Sequence, residues 1–396
     1  MNKFEITRRG LLHSAAGLTA LGLSPLRGFA AAMAPAAPVE LNIVDVAGNL
    51  ALTQPAIEAY AKAKPNFVSK ITFTKAPAPE LPGKVKAEQD AGKVDIDMVL
   101  TGTDALSAGL EQGLWTQLLP DQAANLPKLN DIYLPGAAAM QGLAKGQGVT
   151  VTYYPSGPLL EYMPDKIKTP PKTAEELLAY TKQNPNRFIY GRPANSGPGR
   201  TFLMGLPYIL GDSDPKDPMK GWDKTWAYLK ELDAGIEYYP TGTGPTMKEL
   251  GEGTRDMIVS TTGWDINPRV LGVVPKEAAI TSLKGFHWVM DAHYMCVPKG
   301  LAADKLAVIL DLMSFLLLPA QQAVTYDQGY FYPGPAVKGV PIEMAPAASQ
   351  AAIKEFGRPE YEALIASAPL ELPLDAAPMV AAFRRWDEQI GSKKTK

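Results

Sequence analysis

The chain has 396 residues, 46% of them hydrophobic and 20% charged, with a formal net charge of −2. That length exceeds one ordinary compact core and fits two lobes, and the near-neutral charge excludes the basic excess of a nucleic-acid binder. A single cysteine, Cys296, excludes an intramolecular disulfide and a thiolate metal cluster, and the three histidines, His13, His287 and His293, are too few for a multi-histidine metal site.

At the N-terminus, Arg8-Arg9-Gly10-Leu11-Leu12 precedes an apolar stretch from Leu12 to Leu26, and Ala32-Met33-Ala34 fits an A-x-A cleavage site. This is the layout of a secretory leader over residues 1–34, cleaved near Ala34, which sends the mature chain to the periplasm. The paired arginines resemble the twin-arginine export motif; Leu11 replaces its usual phenylalanine, so an ordinary Sec leader is the alternative. A membrane anchor fits less well, because the run is shorter than a span and His13 interrupts it.

Val39 to Val46 alternates as a strand, Leu52 to Lys64 reads as a helix stopped by Pro65, and Ser69 to Thr74 is a second strand. Pro82 to Ala91 is helical, Val94 to Leu100 is a third strand, and Ala105 to Leu114 is the next helix. Strands alternating with helices at this spacing predict a mostly parallel sheet flanked by helices. Val149 to Tyr154, β-branched and aromatic, reads as a strand crossing to a second lobe. There follow a helix Ala174 to Gln183 capped by Thr173, a strand Arg187 to Arg192, a helix Phe202 to Leu210 and an amphipathic helix carrying Trp222, Trp226 and Leu229. Glu237 to Tyr239 reads as a strand, Met247 to Glu252 as a helix and Asp256 to Thr261 as a strand. His287 to Val297 is the return crossing, and Asp304 to Leu318 is an apolar helix. The expected organisation is therefore lobe 1 from residues 39–148 and 298–396, lobe 2 from 149–286, and the return crossing at 287–297.

Several segments, in this order, resemble the family 1 extracellular solute-binding proteins, in the branch that holds iron, thiamine and polyamine receptors. They are Val94 to Leu100 followed by Gly113-Leu114-Trp115, then Pro170-Pro171-Lys172-Thr173 before Glu175-Glu176-Leu177, Asn186-Arg187-Phe188 and Ser196-Gly197-Pro198-Gly199. Ile258-Val259-Ser260, Val297-Pro298-Lys299-Gly300 and the stretch from Phe315 to Ala323 leading into Gly329-Tyr330-Phe331-Tyr332-Pro333 complete the set. The resemblance implies a type II periplasmic-binding-protein fold: two α/β lobes hinged by crossing strands, closing on a small-molecule ligand. It also implies a permease and an ATPase of an ABC importer as partners. A polyamine, thiamine or ferric-iron receptor and the binding subunit of a periplasmic sensor are the alternatives within the same fold.

Ligands of open α/β sheets sit at loops after the carboxyl ends of strands, and four loops qualify. Thr101, Thr103 and Asp104 follow the third strand; Ser196, Gly197, Gly199, Arg200 and Thr201 open a helix; Thr243 lies in a similar glycine-rich start; Trp264 and Asp265 follow another strand. Glycine-rich helix starts favour an anionic group, with Arg200 adding charge, whereas Trp264 with Asp265 suits an amine. Tyr153 is the crossover tyrosine expected to face the cleft, its neighbour turning the other way. These features together suit a zwitterionic, phosphonate-, carboxylate- or amine-bearing solute. An iron site would need clustered oxygen donors, for which Tyr238-Tyr239 is the nearest pattern. No nucleophile elbow, HExxH or P-loop occurs. A non-enzymatic monomer without metal or cofactor is the expectation.

Overall fold

The computed structural model describes residues 34–394. The expected leader lies outside the described residues except for Ala34. Among the described residues there are eleven strands: β1 Val39–Asp45, β2 Val68–Lys75, β3 Met98–Thr101, β4 Val149–Gly157, β5 Leu159–Tyr162, β6 Phe188–Ile189, β7 Met257–Ser260, β8 Ala279–Thr281, β9 Trp288–Cys296, β10 Gly334–Pro335 and β11 Leu370–Glu371. They form a larger sheet in the order β10-β4-β9-β3-β1-β2, with β11 alongside β9, and a smaller one in the order β6-β7-β5-β8. Each sheet carries its own buried apolar core, one built around Leu41, Ile43, Val99 and Met295, the other around Leu177, Phe188, Trp226 and Val259.

The sheets are mixed rather than mostly parallel. Parallel pairing holds where βα units follow one another, at β1/β2 and β1/β3. The crossing strands run back against their neighbours: β9 is antiparallel to β3 and to β4, and in the smaller sheet β5 is antiparallel to β7 and β8. Both crossing strands are buried along their whole length, which explains why they read as β-branched and aromatic runs.

Two further expectations need correction. Glu237–Tyr239 makes no strand; Tyr239 instead packs against Tyr190 and Trp386, and its hydroxyl donates to Asp233 at 2.8 Å. Residues 298–396 also do not all belong to lobe 1. Val308 to Leu317 is packed in the larger core, but Leu374, Met379, Ala382, Trp386 and Ile390 are buried in the smaller one. The cause is the apolar stripe of the helix Ala376–Gln389, fastened by Trp386 Nε1 donating to the Tyr190 hydroxyl at 3.0 Å. Among the described residues, no single helix is long and apolar enough to cross a membrane.

Candidate functional site

A cavity of about 310 Å³ opens between the lobes, at the small end of the range for ligand pockets. Its walls come from three sources: loops after β1, β2 and β3 (Val46, Ala47, Ala78, Gly102, Asp104), helix starts of the second lobe (Gly197, Arg200, Thr243, Gly244, Trp264), and the crossing region (Asp291, His293, Tyr330, Phe331). Four helices begin here: Thr103–Glu111, Gly197–Leu210, Thr243–Gly251 and Thr262–Val270. Ser196 caps the second, its Oγ accepting from Gly199 N at 3.2 Å, and Thr261 caps the fourth, accepting from Trp264 N at 3.4 Å. The first N–H groups of a helix have no carbonyl partner within it and carry partial positive charge. Gly197 and Gly244, in the first turns of two of these helices, border the cavity. A Cβ added at Gly244 would meet nothing within 4 Å.

The floor is a buried ionic network. Arg200 Nη2 donates to Asp291 Oδ2 at 2.5 Å and Nη1 to Asp104 Oδ2 at 3.1 Å. The Thr103 hydroxyl donates to Asp291 Oδ1 at 2.6 Å and the Tyr154 hydroxyl to Oδ2 at 3.2 Å. Burial opposes ionisation of Asp291, but Arg200 and Thr103 outweigh it and hold the carboxyl below its ordinary range. Burial likewise opposes the Arg200 charge; Asp291 and Asp104 outweigh it and raise the guanidinium above its ordinary value. Beside this network, Asn49 Nδ2 lies 2.9 Å from His293 Nδ1, while Asn49 Oδ1 accepts from Thr53. That pattern makes Nδ1 the acceptor of a neutral ring, and burial lowers the His293 pKa to about 4.

A family model described as "Bacterial extracellular solute-binding protein" matches residues 55–355. The chain belongs to that family. No curated protein sequence matches this solute-binding protein, but many solved structures share its fold. A periplasmic thiamin binding protein is 16% identical at TM-score 0.63, covering 91% of this chain and 97% of its own. A spermidine/putrescine ABC transporter protein from Listeria monocytogenes is 15% identical at TM-score 0.62, covering 89% and 98%. Iron-bound HitA from Pseudomonas aeruginosa is 18% identical at TM-score 0.56, covering 88% and 99%. At these identities the likeness establishes the two-lobed fold, of the type II periplasmic binding proteins, and not the ligand.

In this solute-binding protein five of the sequence-predicted residues, Asp104, Gly197, Arg200, Thr243 and Trp264, border the cavity. The others have structural partners instead. Thr101 is buried at the end of β3 with its hydroxyl on the Gly102 carbonyl, and Thr103 serves Asp291. Ser196 is 2.9 Å from the Thr243 hydroxyl, so it ties two helix starts together. Gly199 is required by close packing, since a Cβ there would lie 2.0 Å from the Gly191 carbonyl oxygen. The Thr201 hydroxyl returns to the Pro198 carbonyl at 3.0 Å.

Tyr153 and Tyr154 are reversed relative to expectation. Tyr153 points into the larger core with its hydroxyl 3.4 Å from the Met290 sulfur, and burial pushes its pKa up to about 12. Tyr154 is the one that reaches Asp291. Asp265 is fully buried away from the cavity, gripped by Arg269 Nη2 at 3.0 Å, Arg358 Nη2 at 2.6 Å and the Tyr361 hydroxyl at 2.6 Å. Its partners Arg358 and Tyr361 come from far along the chain, so adjacency to Trp264 misleads. Asp291, His293, Tyr330 and Phe331 were missed. Asp291 and His293 stand two apart in an otherwise apolar crossing strand, which puts both on one face, and an ionisable pair in such a run is itself a signal.

Proposed function

We propose that this chain is the periplasmic binding component of an ABC importer, and that its cleft captures a small zwitterionic solute, with a carboxylate or phosphonate at one end and a single ammonium at the other. The observation that carries this reading is the polarity of the cavity. The helix starts at Gly197 and Gly244 border the cavity, and helix N-termini offer partial positive charge to an acidic group. Arg200 set between Asp104 and Asp291 leaves one net negative charge for an amine. Trp264, Tyr330 and Phe331 supply an aromatic wall that covers a short carbon skeleton or the face of a cation. The lobes close over the solute by hinge motion at the crossing strands, and the closed form is what a permease and its ATPase recognise. In this reading the protein is exported and acts as a monomer, with no chemistry performed on the solute; the hydroxyls of the ionic floor, Thr103 and Tyr154, are both committed to Asp291. Calorimetric titration of the mature protein with amino acids, aminophosphonates, dicarboxylates and diamines tests the reading. It is wrong if only diamines or uncharged compounds release heat.

A further inference from the structure

We infer that Arg200 is the charge selector of this cleft: in the closed form it fills the seat between two carboxylates that a diammonium solute would otherwise take. The inference rests on the cleft being the solute site and refines which solutes it accepts. Arg200 stands in the first turn of the helix Gly197–Leu210 of the second lobe. Asp104 stands at the start of the helix Thr103–Glu111 of the first lobe, and Asp291 lies in β9 between the lobes. One guanidinium therefore joins three separate elements, with its side chain only 5% exposed.

The two carboxylates are not equally committed. Asp291 also accepts the Thr103 hydroxyl, the Tyr154 hydroxyl and the Ala292 amide, the last at 3.0 Å, so its acceptor sites are filled. Among the described residues Asp104 accepts, besides Arg200, only the Ala105 amide at 2.8 Å, and it borders the cavity. One ammonium fits the charge that remains. A second would leave the cavity net positive among helix N-termini that already favour anions. Take the Arg200 charge away and the same walls hold two carboxylates with no cation between them, a site for a short diamine.

The test is calorimetry with putrescine as the probe, on the wild-type mature protein and on Arg200→Met, Arg200→Lys and the double variant Arg200→Met/Asp291→Asn. Wild type and Arg200→Lys are expected to release no putrescine heat at millimolar concentration. Arg200→Met gains putrescine affinity by about tenfold or more, and the double variant loses that gain. If Arg200→Met does not fold alone, putrescine must restore its cooperative thermal transition. Putrescine binding by the wild type as tight as by Arg200→Met overturns the inference, and so does an Arg200→Met protein, folded or not, that putrescine leaves unchanged. A wild type that ignores every zwitterion while Arg200→Met still gains putrescine would instead sink the proposed ligand class and leave the role of Arg200 standing.

Discussion

Arg200 and Asp104 form an ion pair of 3.1 Å between the two lobes, so part of the contact that closes the cleft belongs to the protein itself. With Arg200 buried and Asp104 at the rim, a charge-assisted hydrogen bond of this kind contributes about 1.5 kcal/mol or more, roughly tenfold in the closure equilibrium. Asp104→Asn should therefore open the solute-free protein. Small-angle X-ray scattering is expected to give a larger radius of gyration for the variant than for the wild type without solute. Equal radii would mean that the pair does not hold the lobes together.

Asp265 should behave as a structural residue. Its carboxylate is shared by Arg269, Arg358 and Tyr361, which link the helix Thr262–Val270 to the C-terminal region. Neutralising one member of a buried ionic cluster leaves the others unbalanced, at a cost of about 3–5 kcal/mol. Urea unfolding of Asp265→Asn should show that loss, while solute affinity measured on the folded fraction stays at the wild-type value. A variant with normal stability and lost affinity would return Asp265 to the binding site.

Two glycines in neighbouring helix starts separate binding from packing. Gly244 faces open space at the cavity wall, so Gly244→Ala should leave the thermal midpoint nearly unchanged and weaken solute binding by obstructing the amide. Gly199 touches the Gly191 carbonyl, and a methyl placed 2.0 Å from that oxygen must force the helix away. Gly199→Ala should lower the midpoint first, by an overpacking cost of about 1–3 kcal/mol. Reversed outcomes would contradict the assignment of these two positions.

Two buried groups set opposite pH slopes. His293 has its pKa lowered from 6.5 to about 4 by burial. The unfolded chain takes up that proton near 6.5 and the folded one resists, so stability falls as pH drops from 6.5 toward 4. Glu161 is raised well above 4.5, first by burial and then by the Asp265 carboxylate. The folded state keeps that proton where the unfolded state releases it, so stability falls as pH rises above 4.5. Urea midpoints across this range should show His293→Gln with a shallower acid limb and Glu161→Gln with a shallower alkaline one. Parallel curves for wild type and variants would contradict the assignment.

The first lobe was largely legible because β1, β2 and β3 alternate with amphipathic helices at regular spacing, and the loops after such strands fall where a cleft must form. Asp104, Gly197, Arg200, Thr243 and Trp264 were found that way. The crossing strands hid their contribution. A strand buried on both faces has no polar alternation, so nothing in the pattern of the return crossing marks Asp291 and His293 as part of the cleft floor. Partner choice was equally hidden. Nothing local distinguishes Asp265, held by residues almost a hundred positions away, from Asp104, which borders the interlobe cavity. The same holds for the helix Ala376–Gln389, whose receiving core in the second lobe lies almost two hundred residues away at Tyr190.

The crystal structure of the exported protein with the solute it carries from the cell tests the central claim most directly. The account predicts density between the lobes, with an acidic group on the amides of Gly197 and Gly244, the chain of the solute along Trp264, and the Arg200 bridge from Asp104 to Asp291 intact. Density bound anywhere outside that cleft, or a solute that displaces Arg200 from both carboxylates, would contradict it.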